Sequence, residues 1–347
     1  MQAVRQSVLG LCLLLACEHS APYGRSGPEP LGPAGGALPL RLTFNPGDDR
    51  TPFVAGSTIV YSRLDADELG RERCLAFLPA GGGTIAHEAC PPPPRAPADT
   101  FVDTWVEPAL SPDGLRVAYM WQQGSLISVL GFAATSLVVA PAAVPGDTSG
   151  FVWPINYVAP NGRIADAVSV LSWADGHTLR FLLGYEFIFK VKGGGLERYT
   201  DTTFESYGLA QLDVDAGRFT PPQGATAGVV AYAPAPDGGL WLVGGDAPQR
   251  LRYLAPGADS ASDVGDYSAP VLSLAAVAGL PVAIVDDSTL EWLVPGDSLP
   301  LRLGVGGGVG PVRRIAAVPG SRRFVAEIER GWDLFGDAAN LWLYELP

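Results

Sequence analysis

The sequence predicts an all-β chain built from about six repeats of one four-stranded unit, and three observations carry that expectation. The 43 glycines and 32 prolines are spread along all 347 residues, as many short strands joined by many tight turns require. One phrase recurs: an apolar strand, a tight turn with Gly, then a second apolar strand. The turn glycines fall at 56, 114, 176, 238, 279 and 320, spaced 58, 62, 62, 41 and 41 residues apart. About forty residues suffice for one four-stranded blade of a β-propeller, so the longer intervals imply extended loops in the first three blades.

The clearest copy of the phrase is Ala109–Tyr119 (ALSPDGLRVAY). Pro presets the first turn residue and Gly takes the positive-φ position, so Pro-Asp-Gly between apolar runs has a mechanical reason to form a hairpin. Leu171–Phe181 and Ala233–Leu242 repeat it, and weaker copies centre on Gly56, Gly279 and Gly320. A second hairpin is expected at Leu126–Ala140, Gly208–Thr220 and Thr289–Leu303, and two hairpins make one blade. The chain finishes on Asn340–Leu346, which reads as the third strand of a blade with no fourth after it. Leu38–Leu42 (LPLRL) repeats Leu299–Leu303 (LPLRL), the expected fourth strand of blade five. The N-terminal strand is therefore expected to complete the last blade and close the ring, which removes exposed sheet edges. Pro160-Asn161-Gly162 also has the form of a hairpin turn and, if it is a hinge, makes the count seven.

At Ser111-Pro112-Asp113-Gly114 and its copies the chain resembles the TolB-type propellers, whose blades carry this Ser-Pro-Asp-Gly hairpin. The resemblance covers roughly residues 38–347 and implies the propeller fold. The small α/β domain that precedes the propeller in TolB has no counterpart among these residues, so TolB's own role does not carry over.

The first residues read as a targeting segment. Arg5 precedes the apolar stretch Val8–Ala16 (VLGLCLLLA), which is too short to span a bilayer core of about 30 Å and suits a signal peptide's apolar region. Leu14-Leu15-Ala16-Cys17 resembles a bacterial lipobox, which makes residues 1–16 a signal peptide and Cys17 the lipidated residue; the alternative is a plain signal peptide with Cys17 incidental. Residues 17–37, rich in Pro and Gly, read as a flexible tether. Cys74 and Cys90 flank a Gly-rich turn. An envelope compartment permits a disulfide between them, and two separate thiols are the alternative.

The net charge of −13 argues against nucleic acid as a partner. Three histidines, two of them near turns, offer no zinc site, and neither a Gly-x-Ser-x-Gly elbow nor a phosphate loop is present. Asp65–Gly70 is too poor in oxygen ligands for calcium. No cofactor or metal is expected. The rim formed by loops between blades and between second and third strands is where binding residues belong. Candidates there are Asp103, Trp105 and Glu107, then Trp121 and Gln122, Tyr185, Glu186, Lys190 and Lys192, and Glu329, Arg330, Trp332 and Asp333. Each has a bland reading too: blade packing for the aromatics, solvation for the charges. The function expected is a non-catalytic, membrane-anchored envelope lipoprotein, periplasmic or outside the cell, binding a protein or glycan partner. The alternative is a lactonase-like or sugar-processing propeller enzyme with a metal in its central channel.

Overall fold

The computed structural model describes residues 38–44, 47–64, 73–91, 101–125, 132–193, 196–245, 249–294, 300–305, 310–333 and 336–347. Side chains are described for these residues except 101–102, 124–125, 132–133, 186–203, 330–333 and 336–338. Cys17, the tether and the Asp65–Gly70 segment lie outside the described residues.

Six four-stranded antiparallel sheets make a ring. The chain enters through β1 (Leu40–Arg41), which belongs to the last blade. Blade one is β2 (Asp48–Ala55), β3 (Thr58–Leu64), β4 (Cys74–Pro79) and β5 (His87–Ala89). Blade two is β6 (Phe101–Leu110), β7 (Arg116–Ser125), β8 (Phe132–Pro141) and β9 (Phe151–Pro154). Blade three is β10 (Ala167–Trp173), β11 (Thr178–Gly193), β12 (Leu196–Asp213) and β13 (Arg218–Thr220). Blade four is β14 (Val229–Pro234), β15 (Leu240–Gly244), β16 (Arg250–Leu254) and β17 (Ser262–Asp266). Blade five is β18 (Val271–Val277), β19 (Leu280–Val285), β20 (Thr289–Trp292) and β21 (Leu301–Gly304). Blade six is β22 (Val312–Ala317), β23 (Arg323–Asp333), β24 (Gly336–Glu345) and β1.

Successive residues of a strand face opposite sides, and here both sides are buried. In β3, Ile59 and Tyr61 pack toward blade six while Val60 packs toward blade two. In β19, Val282 and Ile284 face blade six while Ala283 and Val285 face blade four. The result is six apolar clusters, one at each interface between neighbouring blades. This explains the near-continuous apolar runs in the middle strands, which have no solvent face to keep polar.

All six expected hinge glycines lie in the turn between first and second strands. Ser111-Pro112-Asp113-Gly114 shows why the phrase recurs. Asp113 Oδ1 accepts from Ser111 Oγ (2.6 Å) and from Leu115 N (3.0 Å), Ser111 Oγ accepts from Arg116 N (2.9 Å), and Gly114 stands at φ +73°. Each group the tight turn removes from the ladder is thus satisfied locally. Gly176 departs from the pattern. It is not at positive φ, and its turn is held by Asp175 Oδ1 accepting from His177 N and Thr178 N, both at 2.7 Å.

Two further expectations are refined. Pro160-Asn161-Gly162 forms a small turn bridged by Val158 and Ile164, within the connection from β9 to β10, so it adds no blade. Leu126–Ala140 is not a third-to-fourth-strand hairpin: β8 is the third strand of blade two, and the fourth, β9, follows a separate turn. Residues 126–131 lie outside the described residues.

The ring closes where the repeat of LPLRL placed the seam. Leu40 pairs with Leu343 and Arg41 with Trp342, and Leu42 N donates to the Leu341 carbonyl at 2.8 Å. Thr43 Oγ1 accepts from Leu341 N (3.0 Å), and Arg41 donates to Asn340 Oδ1 (2.9 Å). Leu40 and Leu42 insert into the cluster between blades six and one.

Cys74 and Cys90 are joined by a disulfide. The adjacent pair Leu75–Ala89 holds β4 and β5 in register, which brings the two sulfurs to the same end of the hairpin. The bond closes a loop with a sequence separation of 16. On the loop-entropy scale such a closure contributes about 3 kcal/mol. Reduction with a thiol is expected to lower the urea midpoint accordingly, and Cys74→Ala/Cys90→Ala to behave like the reduced protein. An unchanged midpoint on reduction would exclude a stabilising role.

Candidate functional site

The innermost strands β2, β6, β10, β14, β18 and β22 line the ring's centre. Each carries a one-residue bulge against its second strand: Arg50/Phe53, Val106/Ala109, Ser169/Ser172, Val229/Ala231, Val271/Ser273 and Val312/Arg314. A bulge re-aims side chains and releases a backbone group from the ladder. In the first three blades the bulge holds a non-glycine residue at positive φ: Thr51 (52°), Glu107 (55°) and Val170 (52°). Such strain persists only where the surroundings impose it.

Carboxylates from other blades satisfy the freed amides. Glu107 of blade two accepts from Val170 N of blade three (2.8 Å), and Glu327 of blade six accepts from Thr51 N of blade one (2.8 Å). Arg314 of blade six reaches across the ring, donating to Glu107 Oε2 (2.6 Å) and to Ser169 Oγ of blade three (3.0 Å). Blades six and three are opposite one another, so this guanidinium spans the centre. Burial works against its charge, and Glu107 and Glu327 more than offset it, raising the Arg314 pKa. Beside them the Tyr232 hydroxyl meets the Val170 and Arg180 carbonyls at 2.6 and 2.8 Å and Ser172 Oγ at 2.9 Å.

A second charged chain crosses the seam. Arg73 (2.5 Å) and Arg50 (2.7 Å) both bond Asp48, Arg50 reaches Glu329 (3.4 Å), and Arg313 joins Glu329 and Asp287, each at 2.8 Å. Asp48 Oδ1 also accepts from Ala339 N at 2.8 Å. Signs alternate along the whole path from blade one through blade six to blade five.

Burial pushes the Asp48 carboxyl up, but Arg73 and Arg50 overcome it and hold the group below the usual aspartate value. A depressed folded pKa contributes stability that is complete above the unfolded value and lost as pH falls through the folded one. Glu327 has the opposite sign. Burial raises its pKa despite Arg50 and Arg314, so its contribution is fully present below the unfolded value and is lost as pH rises through the folded one. Asp48→Asn is therefore expected to be less stable than the parent near neutrality, with the gap narrowing on acidification to about pH 2. Urea unfolding across that range reads it, and a gap independent of pH would contradict it.

The sequence candidates separate on this geometry. Asp103, Trp105 and Glu107 all lie on β6 but serve different places. Trp105 is 2% exposed, lies tilted against Tyr119 (5.0 Å between ring centroids) and packs between blades one and two. Trp121 is partly buried against the same cluster, and Gln122 is buried with Thr104 Oγ1 donating to it at 3.3 Å. Glu107 is the channel carboxylate, turned inward by its bulge. Asp103 is half-buried and opposite Gln123. Tyr185 is buried under Arg163 and beside Tyr207, and its hydroxyl contacts Glu205. Burial and the Glu205 bond push its pKa up to about 12. Glu329 belongs to the charged chain across the seam. Glu186, Lys190 and Lys192 on β11, and Arg330, Trp332 and Asp333 on β23, have described backbone only.

Sequence reasoning missed Arg314, Arg50, Asp48 and Glu327. The available signal was a charge inside a strand whose neighbours are all buried, as in Val312-Arg313-Arg314-Ile315 and Phe324–Glu329 (FVAEIE); a charge there needs a partner. Among the described residues, the grouping of three potential metal-ligand side chains is Cys74, Glu88 and Cys90, and its two sulfurs are bonded to each other.

This ring of six blades, sealed by its own N-terminal strand, is a six-bladed β-propeller. No protein-family model matches the sequence, and no curated protein matches it. Solved structures do resemble it. A Thermus thermophilus protein described as a putative oxidoreductase (glucose dehydrogenase) is 12% identical with a TM-score of 0.50, the match covering 86% of this chain and 97% of that one. A protein described as a putative gluconolactonase is 16% identical, TM-score 0.48, covering 91% and 93%. The β-propeller domain of the Trilobed protease from Pyrococcus furiosus is 11% identical, TM-score 0.46, covering 88% and 97%. Identities this low speak for the fold alone.

Proposed function

We propose that this protein is a non-catalytic, TolB-like binding propeller of the bacterial cell envelope, anchored through a lipid on Cys17 and engaging a protein or glycan partner on one rim. The observation that carries this reading is the Arg314 crossing. Arg314 donates to both Glu107 and Ser169 across the ring, and Glu107 and Glu327 each already accept a backbone N–H. A lactonase-like or sugar-processing enzyme needs channel carboxylates turned to a ligand, whereas these two hold bulges together.

The path of the chain supports a polarity. β1 runs antiparallel to β24, so Leu38 enters beside the end of β24, on the face that bears the first-hairpin turns. The tether, residues 17–37, leaves from that face and reaches at most about 70 Å when extended. The opposite rim, with its long second-to-third-strand hairpins in blades two, three and six, then points away from the anchoring membrane.

Two measurements test this. Cys17→Ala is expected to abolish metabolic labelling with a fatty acid and release the protein from membranes. A photo-crosslinking residue at Gln123, on the hairpin rim, is expected to give a reproducible adduct in intact cells, and one at Leu115, on the tether face, none. Retained membrane association in Cys17→Ala would remove the anchor, and equal adducts from both faces would remove the rim.

A further inference from the structure

Arg180 is a half-buried charge with no counter-charge bound to it. It is the third residue of β11, close to the first-hairpin turn of blade three. Leu182, two residues on and so on the same face of the strand, belongs to the apolar cluster between blades three and four. Arg180 Nε is enclosed and has no hydrogen-bond partner. Among the described residues no hydrogen bond or ion pair reaches the rest of its guanidinium. Arg50 and Arg314 set the contrast. At each of those, neighbouring carboxylates outweigh burial and raise the pKa, whereas at Arg180 burial prevails and lowers it, with Tyr232 and Asp175 opposing the shift without offsetting it. A charge withdrawn from water inside a strand calls for a partner. The ladder sets Ser172 on one side of Arg180 and Gln211 on the other, all three on one face. Ser172 Oγ is taken up by the Tyr232 hydroxyl at 2.9 Å, while the half-buried Gln211 amide has no hydrogen bond among the described residues. The nearby carboxylates are committed elsewhere: Asp213 joins Arg218 at 3.1 Å, and Asp175 Oδ1 accepts from His177 N and Thr178 N.

We propose that Arg180 and Gln211 form a binding site for a carboxylate ligand at the junction of blades three and four. A guanidinium presents two parallel N–H donors that match the two oxygens of a carboxylate, and a charge-assisted pair of this kind is stronger than a neutral one. The Gln211 amide supplies a third donor from the neighbouring strand. Leu182, Leu209 and Leu240 of the adjoining apolar cluster lower the local dielectric, which strengthens the pairing. The net charge of −13 favours a singly charged ligand over a phosphate dianion, which the chain as a whole repels more. Arg180 pairs with Ser172 just before the turn at Gly176, so the site lies on the face opposite the long hairpins. It is therefore independent of any partner at the hairpin rim.

Thermal melting of the full chain carrying Cys17→Ala, in sodium acetate against sodium chloride at equal ionic strength, reads the site. Acetate is expected to raise the midpoint saturably, with half-saturation on the order of 10 mM and a rise of about 2–3 °C at ten times that concentration. Arg180→Met should melt about 1–3 °C above the parent in chloride, because an unpaired charge has gone, and should lose the acetate response. Gln211→Met should melt as the parent does in chloride and need roughly fivefold more acetate, the loss of one donor. In mildly alkaline buffer, where inorganic phosphate is mostly a dianion, phosphate should separate the parent from Arg180→Met less than acetate does. A parent that gains nothing from acetate overturns the proposal, as does an acetate response that is the same in Arg180→Met. An acetate affinity unchanged by Gln211→Met, or a phosphate effect larger than the acetate one, overturns the two-residue carboxylate site.

Discussion

Arg314→Met lowers the unfolding free energy by about 3–5 kcal/mol, the range for removing one partner of a buried ion pair. The side chain is close in volume, so lost packing is a small part of the effect. What dominates is the charge left behind: Glu107 loses its guanidinium at 2.6 Å, and Glu327, 3% exposed, loses one of its two neighbouring arginines. The Val170 bulge loosens too, because Ser169 gives up its bond to Arg314. The second variant that makes this decisive is Glu107→Gln/Arg314→Met, which removes the stranded charge but keeps an acceptor for Val170 N. It is expected to recover about half of the loss, since removing both members of a buried pair costs far less than removing one. Urea denaturation measures all three proteins. A drop below about 1 kcal/mol for Arg314→Met would show that the crossing contributes little.

The larger effect lies at the seam. Leu40 and Leu42 are 7% and 2% exposed and belong to the apolar cluster between blades six and one. Leu→Ala in a well-packed core costs about 2–5 kcal/mol per site, so Leu40→Ala/Leu42→Ala is expected to lose roughly 4–10 kcal/mol. The ladder there is only two pairs long, so side-chain burial holds β1 more than its hydrogen bonds do. Once β1 detaches, the edge of β24 is bare and open to other strands. The double variant is therefore expected to form higher oligomers on mild heating, at temperatures where the parent stays dispersed in light scattering. A circular permutant separates connectivity from packing. The end of β24 and the start of β1 lie at the same end of blade six. A chain that begins at residue 46, with Pro347 joined to Leu38 by a short linker, is expected to fold with an ordinary hairpin there. Failure of this permutant would show that covalent entry through the seam matters beyond the strand pairing.

The fold was largely legible. Ser111-Pro112-Asp113-Gly114 carries its own hydrogen-bonding instructions, and the other five hinges share enough of that chemistry to be found by eye. The seam was legible because a strand was missing at one end and a matching LPLRL stood at the other. The site was much less legible. Trp105 and Glu107 share β6 and the same alternation, yet one is core and the other spans the centre. The bulge between Val106 and Ala109 separates them, and no turn residue announces it. Arg314, separated from Glu107 by 207 residues and from Ser169 by 145, has no local signal for either partner.

By itself the sequence determined the local elements of this protein: six hinges, their flanking strands, and a repeated four-stranded unit. It could do so because turn chemistry and strand alternation act over a few residues and are written in consecutive positions. Only the tertiary structure decided which polar groups meet at the centre, that the ring closes at six, and that β1 enters from the face opposite the long hairpins. Those outcomes depend on how six twisted sheets pack around an axis. Closure brings residues hundreds of positions apart within hydrogen-bonding distance, and that geometry is a property of the whole ring rather than of any segment.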